Sequence, residues 1–238
     1  MELSKYDEKY IRVLDIYGET HIGVADYCSS EYCWHEYGEE EEGFIIGSYL
    51  VYASQIAAIE EAKMQGTVEL RTKRLILRRY CLEDVSALYQ RIGSDPAMYQ
   101  YSGWNPYASE ELAKETVCRF LAHYDDEHFY SWVMDVDDVL YGTIGAYDYH
   151  NNQIEVGFSV VRACWGRGYA TEALKKVLNY LTENEGISCV TAWCASENRG
   201  ARNVLEKSGM KLVSIEKSGL TIGSQTYDKL LYEYRRQV

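Results

Sequence analysis

The sequence lacks any unbroken apolar run of the roughly 18 residues or more that a membrane helix requires, although 47% of its 238 residues are hydrophobic. Its first residues also lack a basic head followed by an apolar stretch, which is the pattern of a secretory signal. These two absences predict a soluble, cytoplasmic protein that does not bind membranes. The apolar content is sufficient for a core in a chain of this length.

A disulfide framework is also missing. The seven cysteines are an odd number scattered along the chain, which is typical of free thiols in a reducing compartment. Cys28, Cys33 and His35 lie close enough to suggest a metal site, but no second Cys/His pair follows at a matching spacing. We therefore expect these residues to pack in the protein without a metal.

Basic residues are few: 24 Lys and Arg stand against 37 Asp and Glu, for a net charge of −13. Residues 1–69 hold 15 acids and 4 bases, a net charge of −11, and residues 70–238 carry only −2. A chain without clustered Lys and Arg is not expected to bind nucleic acid. An amine-bearing, cationic partner suits this charge better, and the uneven distribution indicates two units.

The first unit has a β-like pattern. Short alternating or apolar runs separated by Gly and polar turns occur between residues 10 and 59, and they predict four or five short strands. We interpret residues 1–65 as a small acidic all-β domain similar to Sm-like or SH3-like barrels, and 66–71 as a linker. A purely structural appendage is an equally good interpretation of this unit.

From Thr72 to the end at residue 238 the pattern is α+β. Ser109 is a good N-cap for a helix over 109–124, and the short turns after residues 136 and 149 predict an antiparallel meander. The predicted elements are helices over 82–91, 109–124, 170–183 and 199–207, and strands over 75–79, 131–136, 141–149, 153–161, 188–195, 212–217 and 226–234.

A glycine loop between the strand over 153–161 and the next helix carries the most chemical information. Gly166 and Gly168 allow the backbone to approach a ligand closely. The free N–H groups at the start of the following helix, together with the helix dipole, form an anion-binding cradle suited to a pyrophosphate. The loop is not a Walker A sequence, because no Gly-Lys-Ser/Thr follows, and the dinucleotide-binding spacing of glycines fails at Thr171.

A second motif runs from Cys194 to Met210 and contains Asn198, Ala201, Glu206, Lys207 and Gly209. Together with the glycine loop, Trp165-Gly166-Arg167-Gly168-Tyr169-Ala170, this pattern resembles the GCN5-related N-acetyltransferase (GNAT) family, in the branch of the ribosomal-protein N-terminal alanine acetyltransferases. The resemblance covers about 72–236 and leaves out the first 65 residues. It implies the GNAT fold, a central mixed and mostly antiparallel sheet flanked by helices.

The resemblance also implies an N-acetyltransferase that uses acetyl-coenzyme A and lets a primary amine attack the thioester directly. The acceptor is a protein N-terminus or a small-molecule amine, bound near residues 98–107 and 218–227. Glu155 is the expected general base. The residues expected at the cofactor are Val160, Trp165, Gly166, Arg167, Gly168, Tyr169, Ala170, Thr171, Asn198 and Arg202.

Two departures from the family pattern matter. Trp165 stands where many relatives have Arg or Gln, so backbone amides must make the pyrophosphate contact. Leu205 stands where many relatives have a tyrosine that reprotonates the thiolate. This loss keeps open the alternative of an acetyl-coenzyme-A-binding sensor whose acidic first unit is the partner surface. Covalent catalysis by Cys164 or Cys194 is a further alternative, and a homodimer formed through strand edges is compatible with the pattern.

Overall fold

The computed structural model describes residues 2–46, 49–102 and 106–235. The helices are α1 (Ser30–Tyr37), α2 (Asp84–Leu88), α3 (Glu110–His123), α4 (Tyr169–Asn179) and α5 (Arg199–Lys207); π-helical turns at Tyr89–Gly93 and Tyr180–Asn184 extend α2 and α4. The strands are β1 (Tyr10–Asp15), β2 (Thr20–Cys28), β3 (Gly43–Ile46), β4 (Tyr49–Tyr52), β5 (Ile56–Glu61), β6 (Leu70–Arg71), β7 (Ile76–Arg78), β8 (Tyr130–Val136), β9 (Val139–His150), β10 (Gln153–Val160), β11 (Cys189–Ala195), β12 (Lys211–Ile222) and β13 (Gln225–Tyr234). No helix in these ranges is long and apolar enough to span a bilayer.

The first five strands form an open antiparallel sheet in the order β4-β3-β2-β1-β5. Alternating side chains of these strands, among them Ile11, Val13 and Phe44, build a small core of their own. The predicted small all-β, barrel-like domain is not confirmed, because no ladder joins β4 to β5 in the described residues and helix α1 lies between β2 and β3. Ser29 caps α1 by accepting a hydrogen bond from the Tyr32 amide, and Gly38 ends it at φ 77°.

The larger sheet has eight strands in the order β12-β13-β11-β10-β9-β8-β7-β6. All its pairs are antiparallel except β10 with β11, which is parallel. One face packs against α4, where Trp132 of β8 meets Tyr180 edge to face. On the other face, Phe120 of α3 contacts Tyr80, and the Tyr80 side chain bonds Thr143 of β9. The predicted mixed, mostly antiparallel sheet flanked by helices is therefore confirmed.

Capping signals located the helices well. The helix predicted over 109–124 is observed as Glu110–His123, and Ser109 Oγ accepts the Leu112 amide at 3.4 Å. The helix predicted over 199–207 has those bounds, with the Asn198 side chain as its N-cap. At the tip between β8 and β9, Asp137 and Asp138 both have positive φ, as the expected tight hairpin turn requires.

Residues 64–71, which include the predicted linker, are bonded to the second unit and end in β6 of the large sheet. The amides of Gln65 and Gly66 donate to the buried Glu185 carboxylate at 3.0 and 3.4 Å, and the Tyr180 hydroxyl donates to the Gly66 carbonyl at 2.7 Å. Thr67 Oγ1 donates to the Phe129 carbonyl at 2.8 Å. The division into a first unit that ends at residue 65 and a second that begins at residue 72 stays a prediction. In the structure, the segment between them is hydrogen-bonded to the second unit.

Candidate active site

A gap between β10 and β11 forms the centre of the site. The two strands pair only from Gln153–Glu155 to Cys189–Thr191 and then separate. The bonding edge of β10 from Gly157 onward therefore has no partner on β11, and it borders a cavity of about 1140 Å³. Such an unpaired edge can bond an extended ligand in the way that an added strand would.

The predicted glycine loop closes one end of this cavity. Gly166 and Gly168 have φ of 71° and 80°, a region that residues with a Cβ rarely adopt. The loop amides at 166–168 find no backbone acceptor in the described residues, and the first amides of α4 are unpaired by helix geometry. These donors and the positive end of α4 form an anion cradle suited to a pyrophosphate.

The other predicted loop residues have unequal positions. Tyr169, Ala170 and Thr171 border the cavity, whereas the side chain of Arg167 does not. Arg167 instead accepts, through its carbonyl, a hydrogen bond from the Arg74 guanidinium at 2.9 Å. Arg74 also stacks over the Tyr169 ring, 4.5 Å from its centroid. Arg74, in the turn between β6 and β7, therefore fixes the glycine loop from outside the cavity.

Trp165 and Val160 border the cavity together, but in a way that the sequence did not predict. The Trp165 indole donates to the Val160 carbonyl at 2.6 Å. That carbonyl is thus already engaged, so the edge of β10 available to an extended ligand lies before it, at Gly157–Ser159. Trp165 as a whole is 51% exposed.

On α5, the structure separates two predicted residues. Asn198 borders the cavity, and its Oδ1 accepts the Ala201 amide at 3.0 Å. Arg202 does not border the cavity: its guanidinium donates to the Ser196 carbonyl at 3.4 Å, and it lies near Cys194. The prediction that Arg202 reaches the outer phosphates is not supported by this position.

Two cations that the sequence analysis missed, Arg199 and Lys207, border the cavity from α5. With Asn203 they recur every four residues and share one stripe of the helix. This spacing was a usable signal once the helix over 199–207 had been predicted. They are the α5 cations placed to meet an anionic ligand.

Glu155 lies on the α3 face of the sheet but does not border the cavity. Its Oε1 accepts the Trp193 indole N–H at 2.9 Å. Across the ladder it stands opposite Tyr147, and both Tyr147 and Trp193 border the cavity. The predicted base is thus one layer behind the cavity wall, covered by two aromatic side chains.

A part of the cavity wall is apolar and mostly aromatic, and we call this part the aromatic chamber. It is bordered by Met98, Tyr101, Tyr107, Phe120, Tyr147 and Trp193. Tyr101 packs edge to face on Tyr227 of β13, so the two segments predicted on the acceptor side do meet. Residues 103–105 of the first segment lie outside the described residues.

The two cysteines considered as nucleophiles, Cys164 and Cys194, both border the cavity and are buried. Burial raises the pKa of Cys194 to about 11. A thiol is nucleophilic as its thiolate, so this shift counts against Cys194 as a catalytic nucleophile.

Comparison with known proteins decides the family. The model of the acetyltransferase (GNAT) domain matches residues 74–211, more than half of the chain. The chain belongs to the GNAT acetyltransferase family. A similar protein is the uncharacterized N-acetyltransferase YoaA of Bacillus subtilis, 27% identical over 167 residues, which cover 68% of this chain and 94% of YoaA. The predicted family is confirmed.

Solved structures show the same fold. RimL, a ribosomal L7/L12 α-N-protein acetyltransferase in complex with coenzyme A, has a TM-score of 0.66 and 16% identity, covering 71% of this chain and 98% of that one. An acetyltransferase of the GNAT family from Bacillus anthracis has a TM-score of 0.63 and 22% identity, covering 71% and 98%. This GNAT protein is an acetyl-coenzyme-A-dependent acyltransferase, and acetyl-coenzyme A is its co-substrate.

The site fits that co-substrate. The glycine loop offers amides to a pyrophosphate, Arg199 and Lys207 add positive charge, and the unpaired edge of β10 can bond an extended arm. When bound, the co-substrate supplies an acetyl group activated as a thioester.

Proposed function

We propose that this GNAT protein transfers the acetyl group of acetyl-coenzyme A to a primary amine by direct attack of the amine on the thioester. The separation of β10 from β11 carries the proposal, because it opens the edge of β10 to a cavity that contains both the anion cradle and the aromatic chamber. The two substrates can then meet at the β10 edge. The high pKa of the Cys194 thiol argues against an acyl-enzyme at that residue.

The acceptor that we propose is a protein N-terminus or a small molecule that carries its amine on an apolar or cationic body. Aromatic side chains around the amine favour a cation through cation–π attraction, and Lys229 already stacks over Trp193 at 5.5 Å. RimL, a fold neighbour, is an α-N-protein acetyltransferase, so peptides with free N-termini belong in the first panel. A cytoplasmic location and a homodimer remain part of the proposal; sedimentation of the purified chain tests the dimer.

The experiment combines acetyl transfer with a loop variant. Gly168→Ala puts a side chain on the cradle and forces φ of 80° on a residue with a Cβ. Gly18→Ala is the matched control, since Gly18 has φ of 85° and open space around it, far from the cavity. Both variants carry a similar backbone strain of about 1 kcal/mol, but only Gly168→Ala should weaken acetyl-coenzyme A binding, by ten-fold or more in calorimetry.

Release of free thiol from acetyl-coenzyme A in the presence of amine panels and N-terminal peptides measures the activity itself. Wild-type protein and Gly18→Ala should release thiol only with an acceptor, and Gly168→Ala should be impaired. Tight binding with no transfer to any acceptor would favour the sensor alternative. Equal affinity of Gly168→Ala and Gly18→Ala would show that the loop does not hold the pyrophosphate.

A further inference from the structure

Glu155 needs a partner to reach the cavity. Its carboxylate lies behind the wall formed by Tyr147 and Trp193. The Trp193 indole N–H donates a hydrogen bond to Glu155 Oε1 at 2.9 Å. Tyr147 is its direct neighbour across the β9–β10 ladder, and opposite residues of an antiparallel pair place their side chains on the same face. Tyr147 is therefore the side chain that connects the carboxylate to the cavity.

The Tyr147 hydroxyl lies over the part of β10 that borders the gap. Gly157 leaves room for it: a Cβ at Gly157 would stand 2.9 Å from the Tyr147 Oη. Gly157 belongs to the unpaired edge of β10 where, under the proposed function, the thioester is held. One hydroxyl thus faces the reacting centre on one side and Glu155 on the other.

We propose that the Tyr147 hydroxyl is a catalytic group that relays a proton from the acceptor amine to Glu155. This inference rests on the proposed function. As the amine nitrogen bonds to the acetyl carbon, its proton passes to Tyr147 Oη, and the proton of that hydroxyl passes to a Glu155 oxygen. The bond from the acetyl carbon to sulfur breaks, and its electron pair leaves with the sulfur. The reverse relay, from Glu155 through Tyr147, then protonates the thiolate.

With one pair of residues, the relay accounts both for removal of the amine proton and for protonation of the thiolate. Leu205 is buried and carries no proton donor, so the position that resembles the family's tyrosine cannot protonate the thiolate. Burial, followed by the charge and hydrogen bonding of Glu155, raises the pKa of Tyr147. Tyr147 therefore stays a neutral hydroxyl, which can accept one proton while it donates another.

The relay is tested with three variants: Tyr147→Phe, Glu155→Gln and the double variant. Tyr149→Phe is the control for loss of a tyrosine hydroxyl on the same strand. Tyr149 lies on the same strand but stacks on His128, 3.5 Å between ring centroids, and does not border the cavity. We expect each single change to lower kcat by about 10²-fold or more, as loss of a general acid–base group does. KM for acetyl-coenzyme A should change little. The double variant should be no slower than the slower single one, because residues of one relay are non-additive.

A titration of the protein without substrates gives an independent readout. In isotope-labelled tyrosine protein, the NMR signal missing from Tyr147→Phe is that of Tyr147, and its pKa should fall in Glu155→Gln. Losses that multiply in the double variant, or a Tyr147→Phe protein as fast as Tyr149→Phe, would overturn the relay. A wild-type protein that acetylates no amine overturns the proposed function, and the relay with it.

Discussion

At the scale of single residues, the Arg78 guanidinium forms hydrogen bonds with two buried carboxylates. Arg78 makes two hydrogen bonds of 2.8 Å to the Asp84 carboxylate, at the start of α2, and one of 2.8 Å to Asp135 of β8. Asp84 is 5% exposed and Asp135 3%. A planar fork that bonds two carboxylates is a geometry that arginine can provide and lysine cannot.

Asp84→Asn should therefore destabilise the protein in a pH-dependent way. Burial acts to raise the pKa of Asp84, but the hydrogen bonds from Arg78 and the Cys81 amide outweigh it and lower that pKa. A folded pKa below the unfolded value of about 3.9 means that the ionised Asp84 stabilises the fold above that pH, and that this stability is lost as the pH falls through the folded value.

Urea unfolding measures the effect. We expect Asp84→Asn to lose about 2–4 kcal/mol at pH 7, since it leaves Arg78 half paired. The difference from wild type should stay constant down to the unfolded pKa of about 3.9 and narrow only as the pH falls below it. Asp228→Asn is the control, because the Asp228–Lys217 pair is on the surface and should change stability little at any pH. A pH-independent loss in Asp84→Asn would assign its effect to packing instead of charge.

At the scale of elements, the turn between β6 and β7 clamps the glycine loop. Arg74 Nε bonds Glu172 of α4 at 2.6 Å, and the Arg74 guanidinium also reaches the Arg167 carbonyl. Thr72 Oγ1 donates to the other Glu172 oxygen at 2.7 Å. Burial tends to raise the pKa of Glu172, but the hydrogen bonds from Thr72 and Arg74 lower it, which keeps the clamp ionised.

Arg74→Met should loosen this loop without unfolding the protein. The methionine keeps part of the contact with Tyr169 but loses the bonds to Glu172 and Arg167, so the anion cradle is less preorganised. We expect acetyl-coenzyme A affinity to fall about three- to ten-fold in calorimetry, with little change in Tm because the Arg74 side chain is 41% exposed. Arg71→Met, whose side chain pairs with Glu69 outside the clamp, should bind as wild type does. Equal affinities for the two variants would contradict the clamp.

The elements themselves were largely predictable from local signals. Caps and glycines mark α3, α5 and the loop at Gly166 and Gly168, because these signals act within a few residues. Helix α1 was missed for a physical reason: only Cys33 of its eight residues is buried, so it shows no apolar stripe. Its capping residues, Ser29 and Gly38, were the signal that was available.

Side-chain placement in the site was less predictable. Arg202 was predicted at the cofactor and Arg199 was not, because the sequence does not show how α5 is rotated about its axis, which depends on packing with the sheet. Tyr147 was overlooked as the neighbour of Glu155 because cross-strand register is not visible in the sequence of either strand. Both cases concern contacts between elements that are distant in the chain.

At the scale of the whole molecule, two sheets with separate cores meet around Glu185. Glu185 is fully buried and accepts hydrogen bonds from the Tyr130 and Tyr180 hydroxyls, both at 2.7 Å, as well as from the amides of Gln65 and Gly66. From the first sheet, the Tyr10 hydroxyl donates to the Asn184 carbonyl at 3.0 Å. Residues before Gly66 thus already bond to the second unit. A truncated chain should therefore keep Gln65 and the hydrogen bond from its amide to Glu185.

The last prediction concerns a chain that starts at Lys63. Every residue that borders the cavity lies between Tyr80 and Lys207, so this chain should fold and bind acetyl-coenzyme A within about two- to three-fold of the full-length affinity. Its Tm should fall by several degrees, because the Tyr10 contact is lost and Glu185 is less covered.

Residues 1–62 carry most of the negative charge and would concentrate a cationic acceptor near the site, an effect that salt screens. We therefore expect kcat/KM for a cationic peptide to fall on truncation and to lose its salt dependence, whereas a neutral acceptor should be unaffected. Equal losses for both acceptors would show that the first unit acts through the fold and not through its charge, and a folded chain that cannot bind acetyl-coenzyme A would show that the boundary near residue 65 is wrong.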